Sequence, residues 1–376
     1  MPVICLDSKK SLAFYSKYSI SYICPDPSSE EKFIQYLIDF GKDLPHKGVI
    51  FVSSDDWLVT ISKNRNKLSE YYLFPMSEWE IIQNCWNKRK LYEIAQENGI
   101  ACTKTYYIDR IYEIDAISKQ ITFPCIIKPE LNINFQKNLG SRGSTLLIQD
   151  YKELMYWKEK IIEKRMEDIP LIIQELIVGP ITNLYTITSY SDSSAEIVAY
   201  SIGHKIRQFP PDAGTIISGR VKDNPEIYQL GKKLIKIMGY YGIANVEFKK
   251  DERDQIFKLV EINPRPGMWN YSVLMSGLNL PYIAYLDLLG EACELPANTE
   301  EGKVWIMLIQ DFLYSIFLFR FIGYKEYSIG IGEWFRSTKG KKIHAVESWK
   351  DPLPGLINFI RFLSQSFGRF KNMNVR

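Results

Sequence analysis

The sequence predicts a mixed fold, α/β at its start and α+β beyond, and three observations carry that expectation. The chain has 376 residues, enough for two or three sizeable cores. Its first 100 residues set short apolar runs beside amphipathic helical periodicity, the pattern of a small α/β domain. Further on, Asn245-Val246-Glu247-Phe248-Lys249 and Leu259-Val260-Glu261-Ile262-Asn263 each alternate polar and apolar residues with period two. That alternation marks strands with one wet face. The polar connection from Lys250 to Gln255 is short enough for a hairpin. Symmetric pairing then sets Glu247 opposite Glu261 on one face, with Asn263 next along.

Taken in order, Pro2 to Leu6 and Ile20 to Cys24 mix strand and helix signals, and Pro25-Asp26-Pro27 makes a turn. Phe33, Ile34, Leu37 and Ile38 line one helix face, with Gly41 as its stop. Gly48 to Val52 reads as a buried parallel strand. Its polar end, Ser53-Ser54-Asp55-Asp56, lies where open α/β sheets place ligands. Ser77-Glu78-Trp79-Glu80 is a capping box, and the helix it opens carries Ile81, Ile82 and Cys85. A second helix holds Leu91, Ile94 and Ala95 and stops at Gly99, with Lys88 at the join. Without context, Lys88 reads as a solvated surface charge.

Phe123 to Pro129 is a strand in which Lys128 precedes a proline, and the loop after it contains Gly140-Ser141-Arg142-Gly143-Ser144-Thr145. Glycines let backbone approach phosphate closely, and successive N–H groups make an anion nest. A helix covers roughly Lys152 to Arg165, and Pro170 to Gly179 is an apolar strand interrupted by Gln174-Glu175. A long hairpin from Leu184 to Ile202 leads into His204-Lys205-Ile206-Arg207. Asn224-Pro225 is an N-cap with proline at the first helical position, and the helix it starts runs to Gly239. An apolar helix ends near Gly290, and residues 291–303 read as a polar linker.

From residue 331 onward, Arg336, Lys339, Lys341, Lys342, Lys350, Arg361, Arg369, Lys371 and Arg376 outnumber Glu333, Glu347 and Asp351. Such a basic tail suits a solubilising face, or attraction to an anionic substrate or a membrane surface.

Composition narrows the function classes. A net charge of +3 is too small to argue for nucleic acid as a partner. The six cysteines are scattered without a CxxC pair, and several sit in apolar runs, which suits reduced thiols in the cytoplasm. With three histidines in the chain, a histidine-based metal site is not expected. No basic-then-apolar signal peptide opens the sequence. Val304 to Ile322 is apolar enough to test as a membrane span, but it contains Gln310, Asp311 and Arg320. A charge at the bilayer centre costs roughly 2.5–3.5 kcal/mol, so the run reads as a buried or interface helix.

Chemistry concentrates on the acidic hairpin. Like charges directly opposite across strands destabilise a sheet, and a cation between them reverses the sign. Mg²⁺ takes oxygen ligands and is usually held by one or two carboxylates plus substrate phosphates. Arg265, just beyond Asn263 in Glu261-Ile262-Asn263-Pro264-Arg265, adds a fixed positive fork. The bland alternative is a solvated hairpin with scattered charge.

The order of these features resembles the ATP-grasp superfamily over about residues 1–290. The features are Ile-Ile-Lys-Pro, the Gly/Ser loop, Ile-Gln-Glu-Leu-Ile-Val-Gly, the strand acid and Glu-Ile-Asn-Pro-Arg. The nearest look is to the D-aspartate ligase-like group of carboxylate–amine ligases. The resemblance implies a Rossmann-like domain over residues 1–100, shortened by a first strand–loop–helix unit. A two-lobed ATP-grasp fold follows, with its small lobe and flap at 101–175 and its large lobe and metal site at 176–290. A basic appendix at 291–376 ends the chain.

It implies that Lys88 and Lys128 contact ATP phosphates and that Gly140, Ser141, Gly143 and Ser144 fold over them. Gln174, Glu175, Leu176 and Ile177 form the adenine hinge, and Glu247, Glu261 and Asn263 hold Mg²⁺. Arg265 stabilises the acyl-phosphate, with Lys205 or Arg207 as a further phosphate-side charge. Asn183 stands where a ribose-binding acid is expected. The implied activity is amide formation between a carboxylate and an amine, on small-molecule or carrier-linked substrates such as cell-wall or surface-polysaccharide precursors. An ATP-grasp enzyme with another nucleophile, one that stops at phosphorylation, and a non-catalytic nucleotide-binding module are the alternatives.

Overall fold

A computed structural model of the chain describes residues 2–130, 145–211, 214–295 and 300–373. The N-terminal apolar runs form two small parallel pairs rather than one sheet. Strand β1 (Ile4–Asp7) pairs with β2 (Ile20–Ile23), and β3 (Gly48–Val49) pairs with β4 (Tyr72–Leu73). The run Gly48 to Val52 is therefore strand only over its first two residues. Helix α1 (Glu30–Lys42) and helix α2 (Asp55–Lys63) supply Phe33, Leu37, Leu58 and Ile61 to a core shared with Leu68, Phe74 and Ile82. Gly41 does not stop α1. It lies inside the helix because a Cβ there would come within 2.6 Å of the Tyr71 side chain, so glycine is what lets Tyr71 pack.

The expected capping box does not form. Helix α3 (Trp79–Trp86) starts from Glu78 with no side-chain cap. Ser77 Oγ instead accepts from Tyr241 N at 2.7 Å and donates to Tyr241 O at 3.1 Å. A neighbouring bridge between Met76 and Gly242 brings the chain to that strand, whose backbone groups compete successfully for the hydroxyl. Helix α4 (Lys88–Glu97) is capped by Asn87, whose side chain accepts from Lys90 N. Its buried face, Leu91, Tyr92 and Ala95, packs into the core that holds Val246, Phe248, Leu259 and Ile262. Residues around 85–100, grouped with the first domain by sequence, thus belong by packing to the larger sheet.

A four-stranded antiparallel sheet follows, in the order β5 (Thr105–Ile108), β8 (Leu171–Glu175), β6 (Cys125–Pro129), β7 (Leu146–Ile148). Helix α5 (Tyr151–Glu163) is capped by Asp150 and buries Leu154 and Ile161 against it. The second sheet has seven strands. Its order is β13 (Phe257–Asn263), β12 (Gly242–Lys250), β9 (Leu184–Ser191), β10 (Ile197–Phe209), β11 (Thr215–Val221), β14 (Val304–Ile306), β15 (Lys342–His344). Helix α6 (Pro225–Met238) covers it, with Asn224 accepting from the N–H groups of Glu226 and Ile227 as the Asn-Pro signal predicts. Gly239 closes that helix in the left-handed region at φ 60°. Helix α7 (Leu280–Leu288) ends just before Gly290.

The C-terminal region is not an appendage. Strands β14 and β15 extend the large sheet, and Trp305 is fully buried within it. The run Val304 to Ile322, expected as one helix, divides into β14, helix α8 (Leu308–Ile316) and a short 3-10 turn at Leu318–Arg320. The edge of β11 offers unpaired backbone groups, and Val304-Trp305-Ile306 is the β-branched and aromatic stretch that fills it. Asp311 in α8 is fully buried, and its charge is matched rather than lipid-exposed. It accepts from Arg207 Nε and Nη2 at 2.7 Å each, from Ser218 Oγ at 2.9 Å and from Trp334 Nε1 at 2.7 Å. Trp334 lies on helix α9 (Ile331–Ser337), and helix α10 (Pro352–Met373) returns to the N-terminal residues. Among the described residues, no helix is long and apolar enough to cross a membrane.

Candidate nucleotide- and metal-binding site

The expected pair forms, Glu247 opposite Glu261 and Asn245 opposite Asn263, but through a β-bulge beside Glu247 rather than an unbroken symmetric ladder. Burial pushes the Glu247 carboxyl above its ordinary range; the Lys205 ammonium opposes the rise and the Glu261 charge adds to it. Lys205 Nζ donates to Glu247 Oε2 at 3.2 Å. From Glu261 a polar ladder runs down the strand. Asn263 Nδ2 donates to Glu261 Oε1 at 2.9 Å, and Arg265 Nη2 donates to Asn263 Oδ1 at 3.2 Å. Arg265 Nε then donates to Asp55 in the first turn of α2. Asn245 supports the ladder from behind, donating to Arg265 O at 2.7 Å while accepting from Thr188 Oγ1 at 2.7 Å.

Across the cleft stands the four-stranded sheet. Lys128 Nζ, buried on β6, donates to Tyr92 Oη at 2.9 Å and to Gln174 Oε1 at 3.0 Å. Tyr92 Oη in turn donates to Val260 O at 2.6 Å, tying the lysine of one sheet to the strand of the other that carries Glu261 and Asn263. Gln174 is oriented by its own bond to Thr105 Oγ1 at 3.0 Å. Burial lowers the Lys128 ammonium from 10.5 to about 8, against the raising effect of Glu261. Lys88, the first residue of α4, is lowered by burial and then by the like charge of Lys128.

The chain after β8 forms the back wall. Leu176 N donates to Pro124 O at 3.0 Å, and Lys249 Nζ donates to Ile177 O at 2.8 Å. Arg253 bridges Glu175 and the buried Asp251.

These groups enclose one cleft of about 330 Å³, lined by Asp55, Lys88, Lys128, Gln174, Glu175, Leu176, Ile177, Lys205, Lys249, Glu247, Glu261 and Asn263, with Thr145 at the rim. Arg265 lies beside it, on an adjoining small pocket. Arg207 does not reach it. A β-bulge between Lys205 and Arg207 breaks the period-two alternation, so the two cations diverge and Arg207 is committed to Asp311. Asn183 is also outside the lining; its amide donates to Lys250 O at 3.5 Å. Gly140, Ser141, Gly143 and Ser144 lie outside the described residues.

Three residues at the cleft were not among the site residues assigned from sequence: Asp55 and Lys249 in its lining, and Tyr92, which braces Lys128. The signal for Asp55 was present in the Ser-Ser-Asp-Asp end of the β3 run; nothing local marked Tyr92.

The donor set fits a divalent cation shared with a phosphate. Two carboxylates and an amide oxygen face one another, and the like charges are relieved only in part by Lys205. Among the described residues, no cluster of three or more Asp, Glu, His or Cys side chains exists that would hold a metal unaided. Oxygen donors in that number leave positions for water and phosphate, as Mg²⁺ prefers. Lys88, Lys128, Lys205 and Lys249 on the walls of one cleft likewise suit a polyanion.

The fold and this cleft resemble those of ATP-grasp proteins. The family described as ATP-grasp in the biosynthetic pathway with Ter operon matches residues 207–307. The D-aspartate ligase of Enterococcus faecium is 25% identical over 276 residues, covering 71% of this chain and 65% of that one. The chain therefore spans just under two thirds of that relative. Among solved structures, the L-amino acid ligase from Bacillus licheniformis superposes with a TM-score of 0.56 at 19% identity, covering 72% of this chain and 62% of that one. The N5-carboxyaminoimidazole synthetase from Staphylococcus aureus, complexed with ADP, gives 0.59 at 17% identity, covering 81% and 74%.

A prediction follows from Lys128. Nucleotide phosphates placed beside its amine would favour the charged form, so binding at pH above about 8 is expected to be accompanied by proton uptake. Calorimetric titration of MgATP in two buffers of different ionisation enthalpy measures that uptake, and Lys128→Met is expected to remove it. Nucleotide affinity is expected to fall as pH rises through this range; a flat affinity with no uptake contradicts the assignment.

Proposed function

We propose that this chain is an ATP- and Mg²⁺-dependent ligase joining a carboxylate to an amine through an acyl-phosphate. The observation that carries the reading is the juxtaposition of Glu247 and Glu261 with the Asn263–Arg265 ladder, facing a lysine-walled cleft. Bound between the carboxylates, Mg²⁺ would neutralise phosphate charge as the phosphoryl group moves. The chain's own part is positioning and electrostatics, which is most of what phosphoryl transfer asks.

Lys128 and Lys88 would hold the phosphates on one side and Lys205 on the other. Gln174 to Ile177 would receive the adenine, the Ile177 carbonyl being fixed by Lys249. A substrate carboxylate oxygen attacks the γ-phosphorus and ADP leaves. The amine nitrogen then bonds to the acyl carbon, phosphate leaves with the C–O electron pair, and the nitrogen loses a proton. Arg265, at the end of the ladder, would steady the negative charge on both species. Relatives named as D-aspartate and L-amino acid ligases support an amino acid as one substrate. A cell-wall or surface-polysaccharide precursor, free or carrier-linked, is the fitting partner for it.

Release of ADP and phosphate, screened against pools of amino acids and carboxylates, tests the proposal. Amide product is the expected outcome. Phosphorylated product without amide, or MgATP binding with no turnover in any pool, overturns it.

A further inference from the structure

We propose that the face carrying Trp349 and the outer stripe of α10 docks on an anionic lipid surface. Trp349 is fully exposed at 101%, and Leu353, Leu356 and Ile360 are 46%, 54% and 52% exposed. The spacing of Leu353, Leu356 and Ile360 puts them along one line of the helix, as an amphipathic stripe requires, and Trp349 lies just before its start. The opposite face of α10 is already committed, with Phe362 buried beside Tyr314 and Phe319. Arg361, on the flank between the two faces, donates to Lys10 O at 2.7 Å. The outer stripe is thus left over after the fold has used the other side.

Charge decides what covers it. The helix from Pro352 to Met373 contains Arg361, Arg369 and Lys371 and no acidic residue. Lys350 flanks it, and the Arg361–Lys10 bond brings Lys9 and Lys10 alongside. Two acids lie nearby: Glu347, which packs against Gly355, and Asp351, which is occupied by Ser16 Oγ at 2.6 Å and Lys17 N at 3.3 Å and so places Lys17 at this face. An exposed indole and aliphatic stripe with basic residues on its flanks matches the interfacial arrangement. Trp settles at headgroup level, the aliphatic side chains enter the acyl boundary, and the cations meet lipid phosphates. The helix lies on the surface rather than crossing it.

Co-sedimentation of the full chain with vesicles tests this, using phosphatidylcholine mixed equally with phosphatidylglycerol against phosphatidylcholine alone. Binding is expected on the mixed vesicles, weaker by at least about tenfold on the neutral ones, and reduced by added salt. The double variant Leu356→Glu, Ile360→Glu is expected to abolish it with the thermal midpoint unchanged. Trp349→Ala, outside the helix, should weaken it without touching the fold, and Lys17→Glu with Lys350→Glu should remove the preference for anionic lipid. No binding to either vesicle, or binding unchanged in these variants, overturns the proposal. So does concentration-dependent self-association without lipid that the double variant removes, which would assign the stripe to a second copy of the chain.

Discussion

Glu261→Gln is expected to lower MgATP-dependent turnover by about a thousandfold, on the order of 4 kcal/mol of transition-state stabilisation, while the protein stays folded. Glutamine keeps the shape of the side chain and an acceptor oxygen, so the bond from Asn263 Nδ2 persists. What it removes is the negative charge opposite Glu247. That removal relieves a like-charge pair, so the thermal midpoint should hold or rise. The Glu247 carboxyl, raised by burial and further by Glu261, should titrate lower in the variant. A steady-state assay of ADP release, with thermal unfolding on the same samples, checks both halves. Normal turnover would mean that the opposed carboxylates are not the metal site.

Arg265→Met is expected to cost about 10²–10³ in turnover, the scale seen when one donor to a developing oxyanion is removed. Arg265→Lys should not rescue it. A single ammonium cannot span from Asn263 to Asp55 as the guanidinium fork does. Asp55→Asn separates charge stabilisation from simple architecture. If Arg265 served only to hold the N-terminal domain through Asp55, both variants would lose activity equally. If Arg265 acts on the reacting phosphate, Asp55→Asn retains a positioned guanidinium and loses about tenfold, within the range for a supporting partner. Comparison of kcat and KM for the three variants distinguishes the cases.

The two predictions draw on one feature, the bond chain from Glu261 through Asn263 and Arg265 to Asp55. It couples the edge strand β13 of the large sheet to α2. Tyr92 does the equivalent work on the other wall by joining Lys128 to Val260 O. The site is therefore held by two cross-links between different layers of the fold, which is why its residues come from every part of the chain up to Arg265.

Much of the site could be read before any coordinates. Period-two alternation has no freedom once one face must be buried, because a slip of one residue would turn Ile262 and Val246 outward and the carboxylates inward. The turn alone does not deliver the pair: its register sets Phe248 against Leu259, and a bulge at Val260 then shifts the pairing by one to bring Glu247 against Glu261. The Asn224-Pro225 cap was local, since side chain and backbone partner lie within three residues.

Tertiary structure alone decided the rest. Lys205 and Arg207, two apart on a strand, should share a face; a bulge whose cause lies in the pairing with β11 sends one to Glu247 and the other to Asp311. Ser77 had every local reason to cap α3, and lost to the backbone of Tyr241, 164 residues away. Val304 to Ile306 became strand because a sheet edge needed a partner. Patterns that are satisfied within a few residues are written in the sequence. The choice among competing hydrogen-bond partners far apart in the chain is made only when the layers meet.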